Sequence, residues 1–316
     1  MQLRSIQILR AVAALGVLTL HATMKSGPGF AVGAAGVDLF FVISGFIMAS
    51  ATSAVTPSEF LRRRFFRIYP IWWIAVLVRL ALVNHSDVTA PRLLASLTLW
   101  PVWGEYVLPV PPLGWTLSFE ILFYSGLGLA LLMRPAVPIA IFSLCLIGST
   151  VSMDPVFDFL GSPMIFEFLF GFAIAKLPTL KRCGLAILVL GVALLVSAPV
   201  YAENARLLAM NPQLAPLRVL FWGIPCALIL YGTISLESWL RHPGWNVAVA
   251  LGDASYSIYL FHLIPIAMLD LAWSMSIPLA TAFGVAVYMA IEKPLVRLAK
   301  AKRRTPDAEA RMVALT

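Results

Sequence analysis

Apolar segments long enough to cross a membrane recur along the whole chain, and they constrain the fold more than any other feature. The 316 residues are 60% hydrophobic and only 12% charged, with a mean hydropathy of +0.90. Soluble domains carry about 25% charged residues, and a helix needs about 20 largely apolar residues to cross a bilayer. The sequence therefore predicts an all-α integral membrane protein, built as a single bundle of helices.

Glycine and proline residues divide the chain into ten predicted crossings. Their approximate bounds are 6–24, 33–53, 66–84, 115–133, 136–152, 163–177, 183–202, 216–236, 250–271 and 274–291. If the chain starts in the cytoplasm, 18 Lys and Arg residues fall on the inner side, against four on the outer side, Lys25, Arg92, Arg206 and Arg218. Because cytoplasmic loops are enriched in positive charge, we expect both termini to be cytoplasmic. Residues 1–297 would then form the transmembrane domain, and residues 298–316 a basic cytoplasmic tail beside anionic lipid.

Two ionisable residues share one face of the first apolar segment. Arg10 and His21 are eleven residues apart, which on an α-helix brings them to within roughly 20° of the same direction and about 16 Å apart along the axis. Ionisable groups at membrane depth usually face a bundle interior or a wet cavity. An imidazole there can take the proton of an alcohol as a general base, so we predict a catalytic role for His21. Arg10 either anchors the helix in lipid head groups or binds an anion at the mouth of a cavity, and its alignment with His21 favours the second interpretation.

A block of four arginines marks the inner start of the third apolar segment, in the run FLRRRFFRIYP at positions 60–70. Arg63 and Arg64 each share a helix face with Arg67, an arrangement that can hold the phosphates of a large anionic cofactor. The alternative is that the block only sets topology, which is our interpretation of Arg62. For the other three arginines, the spacing alone leaves both interpretations open.

Further ionisable residues lie within the predicted helices. Glu120 is near the outer end of its helix, where it could orient His21 or bind the hydroxyl groups of a substrate. Since buried carboxylates need partners or become neutral, we predict Asp38 to be a packing group paired with an arginine. His262 falls in the middle of its helix and could line the same cavity, although we favour a packing role. Glu167 is structural or has no assigned role.

Other classes of chemistry have little support in the sequence. The three cysteines lack the spacing of metal ligands or of a disulfide framework, and no His, Cys and Asp cluster has metal-ligand spacing. We therefore predict no metal site. The net charge of +8 is spread along the chain, as membrane topology requires, so we expect no nucleic-acid partner.

Six sequence blocks, taken in order, resemble the bacterial integral-membrane acyltransferase family 3, whose members O-acylate sugars and polysaccharides. The blocks are LRAVAALGVLTLHA, GVDLFFVISGFIM, FLRRRFFRIYPIWW, WTLSFEILFYSG, SYSIYLFHLIPI and IEKPL, and they span positions 9–295. Any one block is a weak signal, whereas six in the same order are specific. The chain departs from the family at Lys293, where arginine is common.

The resemblance implies a bundle of ten helices in the bacterial inner membrane and an acyl-CoA donor, commonly acetyl-CoA, supplied from the cytoplasm. It implies an acceptor that is an exopolysaccharide or its lipid-linked oligosaccharide unit, with polysaccharide-assembly proteins as further candidate partners. The functional residues of the family fall here on His21 (catalytic), Glu120 (the acid of the Trp-Ser-Glu block), Arg10 (required beside the histidine), and Arg63, Arg64 and Arg67 (the basic block).

Two other functions are compatible with a membrane bundle that contains buried charge. A transporter or flippase of a lipid-linked oligosaccharide would move unmodified substrate without acyl-CoA; inverted repeats would support it, and the sequence shows none. A non-catalytic scaffold leaves the alignment of Arg10 with His21 without a purpose. The sequence thus predicts a membrane O-acyltransferase, with the flippase as the alternative.

Overall fold

Helices make up the regular structure of this protein. A computed structural model describes residues 3–301, apart from residues 25–28, 53–54, 83–87, 152–153, 199–210, 212–213 and 270. Within that part of the chain the only β-type pairing is an isolated bridge between Val102 and Tyr106. The predicted all-α class is therefore confirmed.

The helices follow one another closely along the chain. In order they are α1 (Arg4–Thr23), α2 (Gly36–Ala51), α3 (Pro57–Leu82), α4 (Ala90–Thr98), α5 (Gly114–Leu132), α6 (Ala136–Val151), α7 (Pro155–Leu160), α8 (Ile165–Ile174), α9 (Gly184–Ser197), α10 (Ala215–Ser235), α11 (Asn246–Asp253), α12 (Ser255–Phe261), α13 (Leu263–Met268), α14 (Trp273–Val287) and α15 (Lys293–Ala301). A 3₁₀ turn, Ala31–Ala35, leads into α2, and a π-helical turn, Tyr288–Glu292, joins α14 to α15.

Seven helical segments of the described residues are long and apolar enough to cross a membrane. They are Arg4–Thr23, Ala31–Ala51, Pro57–Leu82, Gly114–Leu132, Pro155–Ile174, Ala215–Ser235 and Trp273–Leu298. An eighth crossing is possible if Pro243–Asp253 and Ser255–Met268, bent by 47° relative to each other, act as one span. The apolar helices α6 and α9 are shorter, with 16 and 14 residues.

These segments support a multi-pass membrane protein, and each of them overlaps a predicted crossing. The full count of ten crossings and the cytoplasmic location of the termini stay predictions. Lys25 and Arg206, counted on the outer side, and residues 302–316 of the expected tail lie outside the described residues.

The helices α2 and α8 cross at unusually short range because each contributes a glycine that faces the backbone of the other helix. A Cβ atom on Gly45 would lie 1.8 Å from the backbone oxygen of Phe168, and one on Gly171 would lie 1.8 Å from that of Val42. Small residues permit such close approach between membrane helices. The crossing holds together the two helices that carry Asp38 and Glu167.

The beginning of α1, the helix that carries Arg10 and His21, is fastened to the loop before α11. The Glu237 carboxylate accepts hydrogen bonds from the backbone N–H groups of Arg4 and Ser5, both at 2.9 Å. These N–H groups have no partner within the helix, and negative charge is favourable at a helix N-terminus. The contacts fix the position of α1 relative to the second half of the chain.

Candidate functional site

A cavity of about 510 Å³ lies between α1, α2, α3, α5 and α12. Four charged side chains line it, namely Arg10, Arg64, Arg67 and Glu120. Volumes of this order are typical of sites for small molecules and cofactors. Three cations against one acid make the wall suited to an anionic ligand, and we call these four residues the cavity cluster.

Aromatic rings and one acid hold the two cavity-lining arginines of α3. The Arg64 guanidinium lies 5.8 Å from the ring centroid of Phe60 and 5.7 Å from that of Tyr124. The Arg67 guanidinium lies 5.7 Å from the Tyr256 ring centroid, and its Nη1 is 3.4 Å from Oε1 of Glu292. Cation–π contacts orient a guanidinium while leaving its in-plane N–H donors able to bind other groups.

The remaining two arginines of the block are placed differently. Arg63 forms an ion pair with Glu59, one turn earlier on the same helix, and Arg62 is exposed. Neither is among the described residues that line the cavity. The structure thus divides a block that the sequence spacing could not divide, and it brings Arg64 and Arg67 together with Arg10.

Arg10 lies inside the bundle, within electrostatic range of both signs of charge. Its charge interacts with Arg67, Glu292 and Glu120. Arg10 is thus within electrostatic range of Arg67 on α3 and of Glu120 on α5, as expected of a residue that lines a cavity and not of one that only reaches lipid head groups.

Glu120 is held by two hydroxyl groups, one from its own helix α5 and one from α2. It accepts hydrogen bonds from Tyr124 and from Oγ of Ser44, the latter at 3.3 Å, and the two hydroxyls lie 2.9 Å apart. No hydrogen bond joins Glu120 to His21 within the described part of the chain. Of the two roles suggested for Glu120, its position beside the cavity fits binding of a ligand and not orientation of His21.

The residue in contact with His21 is a second histidine. Nδ1 of His21 is 2.9 Å from Nε2 of His262, and the ring centroids are 5.0 Å apart. Nδ1 of His262 lies 2.7 Å from the carbonyl oxygen of Tyr259 and 3.2 Å from that of Ile258. The sequence alone favours a packing role for His262. The rule that an ionisable side chain in an apolar segment indicates function applies to His262 as it does to His21. The spacing of residues could not, however, predict a contact between positions 241 residues apart.

Tyr259 contacts both the cavity and the histidine pair. It lines the cavity, and its ring centroid is 6.1 Å from that of His262. Its hydroxyl is 2.9 Å from Oγ1 of Thr116. His21 is not among the described lining residues, so its partner His262 is in ring contact with the cavity lining through Tyr259.

A second group of charges, distinct from the cavity cluster, is fully enclosed. Arg218 binds Asp38 through two parallel hydrogen bonds of 2.9 and 2.8 Å, and the side chains are 1% and 0% exposed. The guanidinium lies 4.9 Å from the ring centroid of Trp222 and 5.6 Å from that of Trp115. Glu167 is buried beside both charges. We call Asp38, Glu167 and Arg218 the sealed cluster.

The sealed cluster confirms one sequence interpretation and identifies the partner that the sequence leaves open. Asp38 is paired with an arginine in the bundle, as predicted. That arginine is Arg218, one of the four cations assigned to the outer side, and it is 2% exposed within the bundle. Since α10 begins at Ala215, the position of Arg218 one turn into an apolar helix turns it inward to Asp38.

No group of three or more His, Cys, Asp or Glu side chains is arranged to hold a metal ion in the described ranges. The three cysteines are free thiols.

Comparison with known proteins gives matches over nearly the whole chain. The model of the acyltransferase 3 family, described as "Acyltransferase domain", matches residues 3–291. The chain is 35% identical over 317 aligned residues to the exopolysaccharide production protein ExoZ of Rhizobium meliloti (strain 1021), covering 91% of this chain and 97% of that protein. It is 39% identical over 74 residues to protein 2 in the picA locus of Rhizobium radiobacter, covering 22% of this chain and 39% of that protein. No solved structure matches. The matches confirm the resemblance carried by the six sequence blocks.

Proposed function

The chain belongs to the acyltransferase 3 family, and we propose that it moves an acetyl group from cytoplasmic acetyl-CoA to a hydroxyl of an exopolysaccharide or its lipid-linked repeat unit. The name of the Rhizobium meliloti relative refers to exopolysaccharide production, which supports this acceptor. We place the protein in the bacterial inner membrane, where the cytoplasmic donor and the polysaccharide precursor can both reach it. The observation that carries the proposal is the arginine-lined cavity beside the helix that bears His21.

The donor binds through the phosphates of its nucleotide end. Arg64 and Arg67 line the cavity on α3, and Arg10 lines it on α1. Guanidinium groups pair with phosphate through parallel hydrogen bonds, and three of them lining one cavity suit a ligand with several phosphate charges. Arg63, which Glu59 holds outside the lining, contributes to donor binding at longer range and therefore more weakly.

The thioester end of the donor reaches His21 past the Tyr259 ring. The acceptor hydroxyl arrives from the opposite side of the bundle, and His21 takes its proton while the oxygen attacks the thioester carbonyl carbon. The C–S bond then breaks, and the departing thiolate takes the proton from the imidazolium. The products are the sugar ester and free CoA. A positioned general base contributes roughly 10²–10⁴-fold to the rate of such a step, and placing both reactants together contributes further.

Glu120 has a positioning role in this scheme. Its carboxylate is held by Ser44 and Tyr124, and its charge interacts with that of Arg10. It therefore orients Arg10 toward the donor and offers an acceptor for the amide N–H groups of the pantetheine arm. We keep Glu120 in the active site for this reason, although its contact is not with His21.

The proposal is tested by the ester content of the surface polysaccharide. Deletion of the gene should remove ester-linked acetyl groups, and complementation with the unaltered gene should restore them. The His21→Ala variant should fail to restore them while reaching the membrane in normal amounts. The matched control is His242→Ala, because His242 is an exposed loop residue whose Nδ1 accepts a hydrogen bond from the nearby Gly244 N–H. Unchanged ester content after deletion would contradict the proposal, and loss of polymer export with normal esterification would favour the flippase.

A further inference from the structure

We propose that His262 is a positioning residue that fixes the tautomer of His21, so that Nε2 of His21 is the nitrogen that takes the proton of the acceptor. The hydrogen-bond geometry alone carries the tautomer assignment. Its catalytic consequence rests on the proposed function, in which His21 is the general base.

The proton of His262 is on Nδ1. A backbone carbonyl can only accept a hydrogen bond, and Nδ1 of His262 lies 2.7 Å from the carbonyl oxygen of Tyr259 and 3.2 Å from that of Ile258. Nδ1 must therefore carry a hydrogen. A second proton would place a charge on a side chain that is 0% exposed, which is costly without an ionic partner. The ring is thus neutral, and its Nε2 is an acceptor.

The contact between the two rings determines which nitrogen of His21 carries the proton. Nδ1 of His21 is 2.9 Å from Nε2 of His262. Because that Nε2 has a lone pair and no hydrogen, the donor must be Nδ1–H of His21. The backbone carbonyl of Val17, one turn earlier on α1, is a second acceptor beside the His21 ring. A neutral imidazole carries only one N–H, so Nε2 of His21 keeps an unshared lone pair.

The fixed tautomer of His21 favours its action as a general base in the reaction. An imidazole without a fixed partner exchanges between two tautomers, and only one of them has its lone pair on Nε2. A group that accepts from Nδ1–H holds a catalytic histidine in the useful tautomer and orientation. When His21 becomes protonated, its hydrogen bond to His262 becomes charge-assisted and therefore stronger. Here the group that accepts from Nδ1–H is the neutral imidazole of His262 and not a carboxylate. The pair of His21 and His262 therefore has no net charge between turnovers.

The direct test is the imidazole nitrogen spectrum of the purified protein in detergent, with isotope label confined to histidine. It needs no substrate. The chain has four histidines, and the variants His21→Asn, His85→Gln and His242→Gln assign the signals. We expect a protonated Nδ1 and an unprotonated Nε2 on both His21 and His262. A proton on Nε2 of His21 in the unaltered protein would overturn the assignment.

A pair of variants separates positioning from packing. The Gln side chain in His262→Gln is long enough to bring its amide oxygen near the position of the imidazole Nε2, where it can accept from His21. The shorter side chain in His262→Asn reaches only the position of Nδ1. We expect His262→Gln to keep the His21 tautomer and a kcat close to that of the unaltered protein. For His262→Asn we expect a mixture of tautomers and a kcat at least about 10-fold lower, a part of the roughly 10²–10⁴-fold that a positioned general base contributes.

The KM for acetyl-CoA shows whether the two His262 variants keep an intact donor site and therefore fold correctly. KM for acetyl-CoA should stay the same in both variants, since His262 is not among the described residues lining the cavity. Equal kcat values for the two variants would contradict the positioning role. The expected tautomer without any acyl transfer by the unaltered protein would refute the proposed function alone, whereas the opposite tautomer with normal transfer would refute the role of His262 alone.

Discussion

The cavity cluster and the sealed cluster both place arginine among apolar helices, yet their surroundings differ. In the sealed cluster, Arg218 has two parallel hydrogen bonds to Asp38, and the side chains are 1% and 0% exposed. In the cavity cluster, Arg67 has one longer ion pair to Glu292, and its side chain is 36% exposed at the wall of a cavity. The general rule that membrane-depth charge indicates function selects both clusters equally.

The difference shows which observation distinguishes a binding site from a structural ion pair. In the sealed cluster a carboxylate of matching geometry satisfies the cation, and none of its three residues is among the described residues that line the cavity. In the cavity cluster, cations outnumber acids and face open volume. We therefore expect substitutions in the sealed cluster to change stability, and substitutions in the cavity cluster to change ligand binding.

The largest effect should come from removing the cation of the sealed cluster. Arg218→Met leaves Asp38 and Glu167 as buried acids without a counter-charge, and breaking a buried ion pair in this way costs about 3–5 kcal/mol. The measurement is the free energy of unfolding in detergent. The double variant Asp38→Leu with Arg218→Met should recover much of the loss, because an apolar pair replaces the ions. A change of less than about 1 kcal/mol in the single variant would place Arg218 with the cavity cluster instead.

In the cavity cluster the expected effect is on donor affinity. Arg64→Gln and Arg67→Gln should each raise the Kd for acetyl-CoA by roughly 10- to 100-fold, because each removes a charged hydrogen bond worth about 1.5–3 kcal/mol. Their unfolding free energies should change by less than about 1 kcal/mol, because both side chains are partly exposed and charge contacts that water can reach contribute little. Isothermal titration calorimetry measures the affinity, and Arg62→Gln is the matched control, since Arg62 is exposed. Equal Kd values for the Arg62 and Arg67 variants would contradict the proposed donor site.

The two clusters should also differ in how they respond to ionic strength, and this difference should be smaller than the effects of the substitutions above. Salt screens charges that water can reach and leaves buried pairs largely unaffected. Raising the salt concentration should therefore weaken acetyl-CoA binding a few-fold, and the dependence should flatten in the Arg64→Gln, Arg67→Gln double variant. The stability that Asp38 and Arg218 contribute, obtained from their double-variant cycle, should stay constant. A salt-independent Kd would argue against binding through the phosphates.

The smallest effect belongs to Arg63. Its ion pair with Glu59 is partly exposed on one helix, and such pairs contribute about 0.3–0.5 kcal/mol. Arg63→Gln should therefore change stability by no more than this and raise the Kd for acetyl-CoA less than Arg67→Gln does. A Kd increase as large as that of Arg67→Gln would show that Arg63 leaves Glu59 and binds the donor.

Local patterns in the sequence account for the fold class and for part of the site. Apolar segments predict helices because lipid leaves every backbone polar group to be satisfied within the segment. The alignment of Arg10 with His21 holds because α1 is one helix from Arg4 to Thr23. The pairing of Asp38 with an arginine followed from the cost of an unpaired buried carboxylate.

The features that the sequence could not predict depend on contacts between distant helices. His21 and His262 are 241 residues apart, and nothing in either segment indicates the other. Arg63 and Arg64 have equivalent spacing to Arg67, and they differ only because Glu59 pairs with one while Phe60 and Tyr124 flank the other.

The central claim is that a thioester bound at the cavity cluster is consumed at His21. The most direct test is the release of free CoA from acetyl-CoA by the purified protein in lipid vesicles containing the polysaccharide acceptor, compared between the unaltered protein and His21→Ala. We predict that the unaltered protein releases CoA in step with new ester, and that His21→Ala binds acetyl-CoA with an unchanged Kd but releases none above background. Release by His21→Ala at the rate of the unaltered protein would contradict the account.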